Sequence, residues 1–262
     1  MEVTDIILGL VEIAVFPGVT FALGWGISKI RDLKRFRTFC KVFGSVAERQ
    51  DNIVISLPLW RVKDSSRNNT RFQKLRLDGK YEEYYGPDET ISWDDLKAGA
   101  QIASIIAEVY SKPVNYSLDN DRDLDIVDKS LIMIGSPLAN LRARGILELV
   151  RQPYLEYVEQ EETEKHPART AIRDKIENIL YDSSGDWEYS MILRVPNYRS
   201  KGGYFFLVSG PHAEGTLAAA TYLKNNWKEF ENADPVAGIL LKMPRGDITL
   251  HGVLRKFGFP RY

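Results

Sequence analysis

An apolar run near the start of the chain constrains the fold more than any other feature. Residues 6–28 are almost entirely apolar, and only Glu12, Pro17, Thr20 and Ser28 interrupt them. As a helix that rises about 1.5 Å per residue, this run would be roughly 34 Å long, which exceeds a hydrocarbon core of about 30 Å. We therefore predict a transmembrane helix over residues 6–28. The alternative is a helix buried inside a soluble domain.

The charges on either side of the run predict its orientation. Residues 1–5 contain acidic residues and no basic one, whereas a signal peptide would carry positive charges there. Basic residues follow the run closely and favour the cytoplasmic side; they are Lys29, Arg31, Lys34, Arg35 and Arg37. The sequence thus predicts a single-pass membrane protein with residues 1–5 outside, a basic juxtamembrane segment over 29–50 and a cytoplasmic domain over 51–262.

Small residues recur every fourth position within the predicted span, at Ala14, Gly18, Ala22 and Gly26. Residues at this spacing share one helix face, where small side chains let two helix backbones approach closely. The pattern predicts a homo-oligomer formed through this face, and the alternative is the ordinary Gly and Ala content of membrane helices. Glu12 lies off this face, and it is either tolerated near the interface or part of a polar seam in an oligomer.

The composition excludes several classes of function. Lys and Arg number 35 against 36 Asp and Glu, so no net positive charge supports nucleic-acid binding through phosphate neutralisation. The chain has 1 Cys and 3 His, which excludes a disulfide framework and argues against a zinc or His-rich metal centre. We predict no cofactor and no metal. Cys40 is either a lipidation site or a small buried residue.

The pattern after residue 51 alternates between strands and helices. Helices are expected after Ser92, within 136–150 and after the segment 210–216, and a hairpin at Gly202-Gly203. This alternation of strands and helices predicts an α/β domain of Rossmann-like, three-layer type, with a partly parallel sheet and an antiparallel edge. Strands are expected at 52–60, 114–118, 130–135, 187–195, 204–209, 236–243 and 248–257.

Three further stretches have weaker patterns. Residues 63–90 are polar and rich in turn residues, which indicates a long loop that acts as a lid or binding loop. Residues 156–166 are rich in Glu and predict a solvated helix end and loop. Residues 168–181 predict a short amphipathic helix; its apolar positions are Ile172, Ile176, Ile179 and Leu180.

The segment 205–216 is the first of three candidate ligand sites, because ligands of open α/β sheets bind beyond the carboxyl ends of parallel strands. Gly210 and Gly215 permit close backbone approach, and free amides at the following helix, with Thr216, suit a phosphate or another anion. The segment lacks the Lys of a Walker A loop. His212 and Glu214 are candidate acid/base groups. The alternative is a tight turn that requires glycine, with an exposed histidine.

Two other strand ends carry candidate ligand-binding side chains. Ser136, Asn140 and Arg142 follow the strand at 130–135 and suit a base edge or a phosphate. The alternative is that Asn140 caps a helix and the arginine is solvated. Trp60 suits stacking on a base and Arg61 lies beside it, although Trp60 also suits a core position. If the three strand ends meet, these residues line one cleft.

The motifs in this order resemble a group of Rossmannoid domains. The chain has G-S-P-x-x-N at 135–140 and S-G-P-H-x-x-G-T at 209–216, each after a predicted strand. This order resembles the nucleoside deoxyribosyltransferase-like, SLOG-type and TIR-type domains, and the layout is similar to bacterial antiviral effectors that tether such a domain to a membrane helix. Enzymes of the group use a positioned glutamate, for which the chain offers Glu108 and Glu214.

The resemblance implies a membrane-anchored sensor or effector. Such a protein would bind a nucleotide-like ligand in its cytosolic domain and act through assembly of the membrane helix. The alternatives are a membrane-tethered enzyme that processes nucleotides or nucleosides, of hydrolase or glycosyltransferase type, and a protein-interaction module.

Overall fold

The computed structural model describes most of the chain after the predicted membrane span. The residues described are 28–64, 71–75, 81–85, 89–110, 112–121, 124–160, 169–183, 185–249 and 251–260. The predicted transmembrane helix, apart from Ser28, and its small-residue face lie outside the described residues. Among the described residues, no helix combines the length and the apolar character needed to cross a membrane.

Each of the four described α-helices is followed by a run of two to five strands. In chain order they are α1 (28–43), β1 (Ile53–Leu57), β2 (Trp60–Asp64), β3 (Arg71–Leu75), β4 (Tyr81–Tyr85), β5 (Glu89–Thr90), α2 (Trp93–Tyr110), β6 (Asn115–Leu118), β7 (Ser130–Ile134), α3 (Leu141–Leu149), β8 (Leu155–Gln160), β9 (Arg169–Asp174), β10 (Ile179–Asp182), β11 (Trp187–Pro196), β12 (Tyr204–Ser209), α4 (Ala213–Asn226), β13 (Ala237–Pro244) and β14 (Gly252–Phe257). A 3₁₀ helix, Trp227–Asn232, continues α4.

Seven strands form one mixed sheet in the order β14-β13-β11-β12-β7-β1-β6. The strands β6, β1, β7 and β12 are parallel, whereas β11, β13 and β14 pair antiparallel to their neighbours. The prediction of an α/β domain with a partly parallel sheet and an antiparallel edge is confirmed. Every residue of β1 and β7 is buried, as expected for parallel strands covered on both faces.

Both faces of this sheet are covered. On one face α1, α2 and α4 form a core with the sheet that includes Phe39, Ile105 and Phe206. On the other face α3 and the antiparallel sheet β10-β9-β8 form a second core, which includes Ile146 and Tyr157. The helices after Ser92, within 136–150 and after 210–216 are confirmed.

The helix predicted over 168–181 is wrong, because its described residues form β9, a turn and β10. The helix end predicted within 156–166 is wrong for residues 156–160, which belong to β8, and residues 161–166 lie outside the described residues. Ile172 lies opposite Tyr157 in the pairing of β8 with β9, and both side chains belong to the second core. Asp174 accepts hydrogen bonds from the amides of Ile176 and Glu177, and Asn178 has φ 55°. These residues close the β9–β10 hairpin, since Asp and Asn favour such turns. The helical spacing of the isoleucines was therefore misleading.

The predicted long loop over 63–90 is also partly a sheet. Its described residues contain the end of β2 and all of β3, β4 and β5, and these four strands form an antiparallel sheet in the order β4-β3-β2-β5. The strand predicted over 52–60 ends at Leu57, and Trp60 begins β2 instead, with Pro58 between them. This small sheet follows β1 directly, so it emerges from the edge of the main sheet where β1 ends.

Candidate ligand-binding edge of the sheet

The carboxyl ends of the parallel strands lie along one edge of the main sheet. Immediately after β7, the amide of Gly135 donates to the carbonyl oxygen of Val208 at 3.0 Å. Gly135 has φ 93°, and a Cβ atom there would lie 3.3 Å from Pro58. The end of β1 therefore packs closely on the turn after β7. Since β11 runs antiparallel to β12, the start of β11 reaches the same edge.

The start of α4 is occupied by groups of the chain itself. The amide of Gly210 donates to Thr216 Oγ1 at 3.1 Å, and the amide of His212 donates to Glu188 Oε1 at 3.2 Å. A Cβ atom at Gly215 would lie only 2.8 Å from the same carboxylate oxygen. Negative charge is favourable at a helix N-terminus. The carboxylate of Glu188 thus lies where the sequence predicts a bound anion.

Glu188 and His212 form a pair that is buried at one end and open at the other. His212 Nδ1 lies 2.8 Å from Glu188 Oε2, and the side chain of Glu188 is 0% exposed whereas that of His212 is 49% exposed. A buried carboxylate requires hydrogen-bond donors, and the amide and the ring of His212 are both partners. When Glu188 accepts from Nδ1, a neutral imidazole presents Nε2 as an acceptor. The pair fixes the ring and leaves one nitrogen available.

A second pair of polar groups is buried at the end of β12. Tyr157 Oη and Ser209 Oγ are 2.5 Å apart, and both residues are buried. Burial raises the pKa of Tyr157, and the negative charges of Glu188 and Asp95 raise it further against the opposing effect of the Ser209 hydrogen bond. The phenol is therefore protonated at neutral pH. Asp95 is itself buried in the first turn of α2.

Ser190 adds an unsatisfied hydroxyl to the same strand as Glu188. Its Oγ is buried and makes no hydrogen bond within the described part of the chain. Alternate residues of a strand share a face, so Glu188 and Ser190 lie on the same face of β11. Buried polar atoms are usually hydrogen-bonded, and this one is an exception next to the pair.

Asn140 is engaged entirely by the fold. Its side-chain oxygen accepts from the amides of Arg142 and Ala143, which caps α3, and its side-chain nitrogen donates to the carbonyl oxygens of Ser56 and Ile134. An Asn side chain has two donor and two acceptor positions, so these bonds use all of them. This geometry corresponds to the capping alternative.

Arg142 lies beside the ends of β1 and β6. Its Nη1 donates to Ser117 Oγ at 3.1 Å, and its Nη2 donates to the carbonyl oxygen of Asp121. Burial lowers the pKa of Arg142, and the charges of Asp121 and Asp119 act in the opposite direction. The side chain lines an open cleft of about 510 Å³ that continues along α3 towards Leu149.

Ser136 and Glu214 bond to groups other than the Glu188–His212 pair. Ser136 is buried, and its Oγ accepts from the amide of Ala139 at 3.3 Å. Glu214 Oε2 accepts from the amide of Gly246 at 3.3 Å, in the turn between β13 and β14. Trp60 and Arg61 open β2, and their side chains lie outside the described set. Of the predicted ligand-binding residues, Gly210, His212, Gly215 and Thr216 therefore lie together at this edge of the main sheet.

Sequence reasoning missed Glu188, Tyr157, Ser209 and Asp95. A signal for Glu188 existed: it is a charged residue inside a predicted strand in which most residues are apolar, W-E-Y-S-M-I-L-R-V. No comparable signal marked Tyr157, because its strand was predicted as a helix end. Among the described residues, no three His, Cys, Asp or Glu side chains form a group able to hold a metal ion.

Comparison with known proteins adds no relative. The chain matches no protein-family model, no curated protein and no solved structure.

Proposed function

We propose that this protein is a membrane-anchored sensor that binds a nucleotide-like small molecule at the carboxyl edge of its parallel strands. The observation that carries the proposal is the half-exposed imidazole of His212 held by the fully buried carboxylate of Glu188. Burial of a carboxylate is costly unless it is bonded, and here the bond also fixes the orientation of a solvent-accessible ring. Such preorganisation is characteristic of ligand sites in open α/β sheets. We also propose that the α/β domain is of the Rossmann-like, three-layer type.

The ligand chemistry follows from the charges at this edge. His212 Nε2 suits an N–H or O–H donor, such as a ribose hydroxyl or an amino group of a base. The carboxylate of Glu188 already occupies the start of α4, which disfavours a phosphate at this helix N-terminus. We therefore expect a nucleoside or nucleoside monophosphate to bind more tightly than a triphosphate.

A binding measurement on the full chain in lipid nanodiscs tests this proposal. Nucleosides, nucleoside monophosphates, triphosphates and cyclic nucleotides are screened by thermal shift, and hits are titrated by calorimetry. His212→Ala should weaken binding by about 5- to 150-fold, since loss of a hydrogen-bond partner for a buried polar group costs about 1–3 kcal/mol. His251→Ala is the matched control, because His251 bonds the carbonyl of Ile248 and packs on Tyr222 in the body of α4.

Two outcomes contradict the proposal. If none of these molecules stabilises the protein, an interaction module is favoured over both nucleotide hypotheses. If a ligand binds and His212→Ala has no greater effect than His251→Ala, the site lies elsewhere.

Assembly through the membrane helix is the output we propose for the sensor. Gly18→Leu or Gly26→Leu should weaken crosslinking of the protein in membranes, because a large side chain blocks close backbone approach. Unchanged crosslinking of both variants would show that the Ala14, Gly18, Ala22 and Gly26 face has no such role. For the predicted orientation, a cysteine at Thr4 should react with an impermeant reagent in intact cells, and one at Ser66 should not.

A second candidate is a membrane-tethered hydrolase that acts on a nucleotide or nucleoside. The same pair favours it, because an imidazole oriented by a carboxylate is a suitable general base for a water nucleophile. In this mechanism Nε2 takes a proton from water while the water oxygen attacks the anomeric carbon or the phosphorus atom and the bond to the leaving group breaks. Glu188 stabilises the resulting imidazolium, which then returns the proton to the leaving group. Chromatography of nucleosides and nucleotides after incubation with the protein tests for turnover, which Glu188→Gln should reduce. A ligand that binds and is recovered unchanged contradicts this candidate and supports the sensor.

A further inference from the structure

The first three turns of α1 have one face that the domain leaves uncovered. Ile30 is 69% exposed and Leu33 is 57% exposed, and the neighbouring Lys34 and Arg37 are exposed as well. Residues 30, 33, 34 and 37 share one side of a helix. We call the side formed by Ile30, Leu33, Lys34 and Arg37 the outward face of α1.

The opposite side of α1 is fixed to the domain. Phe39 is buried and packs edge-on against Trp227, with ring centroids 5.8 Å apart. Arg35 forms an ion pair with Glu108 near the end of α2. Thr38 is buried, and its Oγ1 donates to Glu231 Oε2 at 3.2 Å. Because these contacts fix the rotation of α1, the outward face points away from the domain.

The composition of the outward face suits an anionic lipid surface. It combines two large aliphatic side chains with two basic ones and contains no acidic residue. Helices that lie in a membrane interface place aliphatic side chains among the acyl chains and Lys or Arg among the headgroups. A soluble helix would instead bury Ile30 and Leu33 or replace them with polar residues.

The position of the outward face along the chain indicates which partner covers it. The outward face begins two residues after the apolar run 6–28, which we propose as the membrane anchor. At about 1.5 Å per residue, a helix continuing straight out of the membrane would carry Arg37 roughly 14 Å beyond Ser28, whereas each headgroup layer is only about 5–8 Å thick. Only a helix that lies along the surface keeps all four side chains at the headgroups.

We propose that α1 lies on the cytoplasmic surface of the membrane and docks its outward face on anionic phospholipid. This inference rests on the proposed membrane anchor and adds a lipid partner to it. The domain is then held in one orientation through the contacts of Phe39, Arg35 and Thr38. The basic residues contribute through the negative surface potential of the leaflet, and each should change the partition of α1 about fivefold.

The test places a fluorophore on the outward face of the full chain. In a Cys40→Ser background, Leu33→Cys is labelled with an environment-sensitive dye in vesicles of phosphatidylcholine, with or without phosphatidylglycerol. Leu149→Cys is the control label, because Leu149 is 66% exposed at the end of α3. We expect a blue shift and quenching by spin-labelled lipid at position 33 in the anionic vesicles, both reduced by salt, and neither at position 149.

Charge reversals identify the cause of the shift. Lys34→Glu with Arg37→Glu should abolish the anionic-lipid dependence, whereas the matched reversals Arg151→Glu and Arg245→Glu, at exposed positions elsewhere, should preserve it. A label at 33 that behaves like the label at 149 in all vesicles overturns the inference. A shift that is equal in neutral vesicles and lost on dilution assigns the face to a second copy and also overturns it. Extraction by alkaline carbonate reports separately on the anchor.

Discussion

Arg194 Nη1 donates a 2.8 Å hydrogen bond to the carbonyl oxygen of Phe230, deep inside the domain. The same guanidinium reaches the carbonyl oxygens of Ala233 and Asp234 through Nη2, and that of Val42 at the end of α1 through Nη1. Arg194 is 1% exposed. One side chain of β11 therefore joins the end of α1 to the segment that follows α4.

Replacement of Arg194 should destabilise the protein strongly. Arg194→Ala removes four hydrogen bonds to buried or partly buried carbonyl oxygens and creates a cavity, so the free energy of unfolding should fall by roughly 3–5 kcal/mol. Arg245→Ala, at an exposed turn, should change it by no more than about 0.5 kcal/mol. Urea denaturation followed by fluorescence measures both. Equal effects of the two variants would mean that the buried guanidinium is not needed for stability.

Gly215→Ala should be destabilising for a different reason. Its Cβ atom would lie 2.8 Å from Glu188 Oε1 and 2.9 Å from the carbonyl oxygen of Tyr189, so the buried carboxylate or the start of α4 must shift. We expect a loss of about 1–3 kcal/mol of unfolding free energy, the range for overpacked sites.

Gly145→Ala is the matched control for this loss. No atom lies within 4 Å of the Cβ position at Gly145, which is inside α3. Alanine favours a helix interior, so this variant should gain about 0.5–1 kcal/mol. Thermal unfolding of both variants shows whether each substitution raises or lowers the stability of the protein. If Gly215→Ala is as stable as the parent protein, the close approach of Glu188 to α4 is not rigid.

The local sequence pattern predicted the parallel strands of the main sheet but did not predict the antiparallel sheet β10-β9-β8. The run S-L-I-M-I at β7 is apolar on both faces, and no other element suits a short run of this kind between polar segments. At 168–181, by contrast, Ile172 is buried while Ile176 is 56% exposed. The spacing of these isoleucines matches a helix, but β9 pairs with β8 instead. A local sequence pattern contains no information about such a nonlocal partner.

The candidate site was predicted only in part for the same reason. The turn at 210–216 follows from its own sequence, because glycines, a strand and a helix are contiguous there. The buried partner of His212 comes from another strand, twenty-four positions earlier in the chain. Glu214, which is adjacent in sequence, bonds the amide of Gly246 instead. Sequence proximity therefore suggested Glu214 as the acidic partner in the site, whereas the fold supplies Glu188.

Cys40 should react slowly with alkylating reagents. Burial, with a smaller contribution from the negative charge of Glu48, raises the pKa of the thiol to about 11. The thiolate is the reactive form, and an unperturbed cysteine has a pKa of about 8.5, so alkylation at pH 8 should be on the order of 10²-fold slower than in urea. The native rate should then increase about tenfold per pH unit up to about pH 10, whereas the unfolded rate levels off near pH 9.

Timed alkylation followed by mass spectrometry measures the rate at Cys40, the only cysteine in the chain. Glu48→Gln removes one cause of the raised pKa and should speed the native reaction at pH 8. A native rate that levels off near pH 9 would contradict the assignment of a raised pKa.

The coupling between Glu188 and His212 should be measurable in the stability of the protein. His212→Ala removes the ring donor from a carboxylate that is 0% exposed, whereas Glu188→Gln removes the charge but keeps an acceptor for the His212 amide. In the double variant, the side chain at position 188 is uncharged, so loss of the imidazole hydrogen-bond donor costs less stability. The combined loss of unfolding free energy should therefore be smaller than the sum of the single losses by roughly 0.5–3 kcal/mol.

The pair Glu156 and Arg173 provides the matched double-mutant cycle. These side chains lie 2.8 Å apart on β8 and β9, and each is 38% exposed, so solvent screens them and their coupling should be at most about 1 kcal/mol. Urea denaturation of the two cycles at pH 7 gives both coupling energies. A coupling for Glu188 and His212 no larger than that of the exposed pair would mean that the carboxylate does not hold the imidazole in place. The orientation of Nε2, and with it the ligand site we propose, would then lose its physical basis.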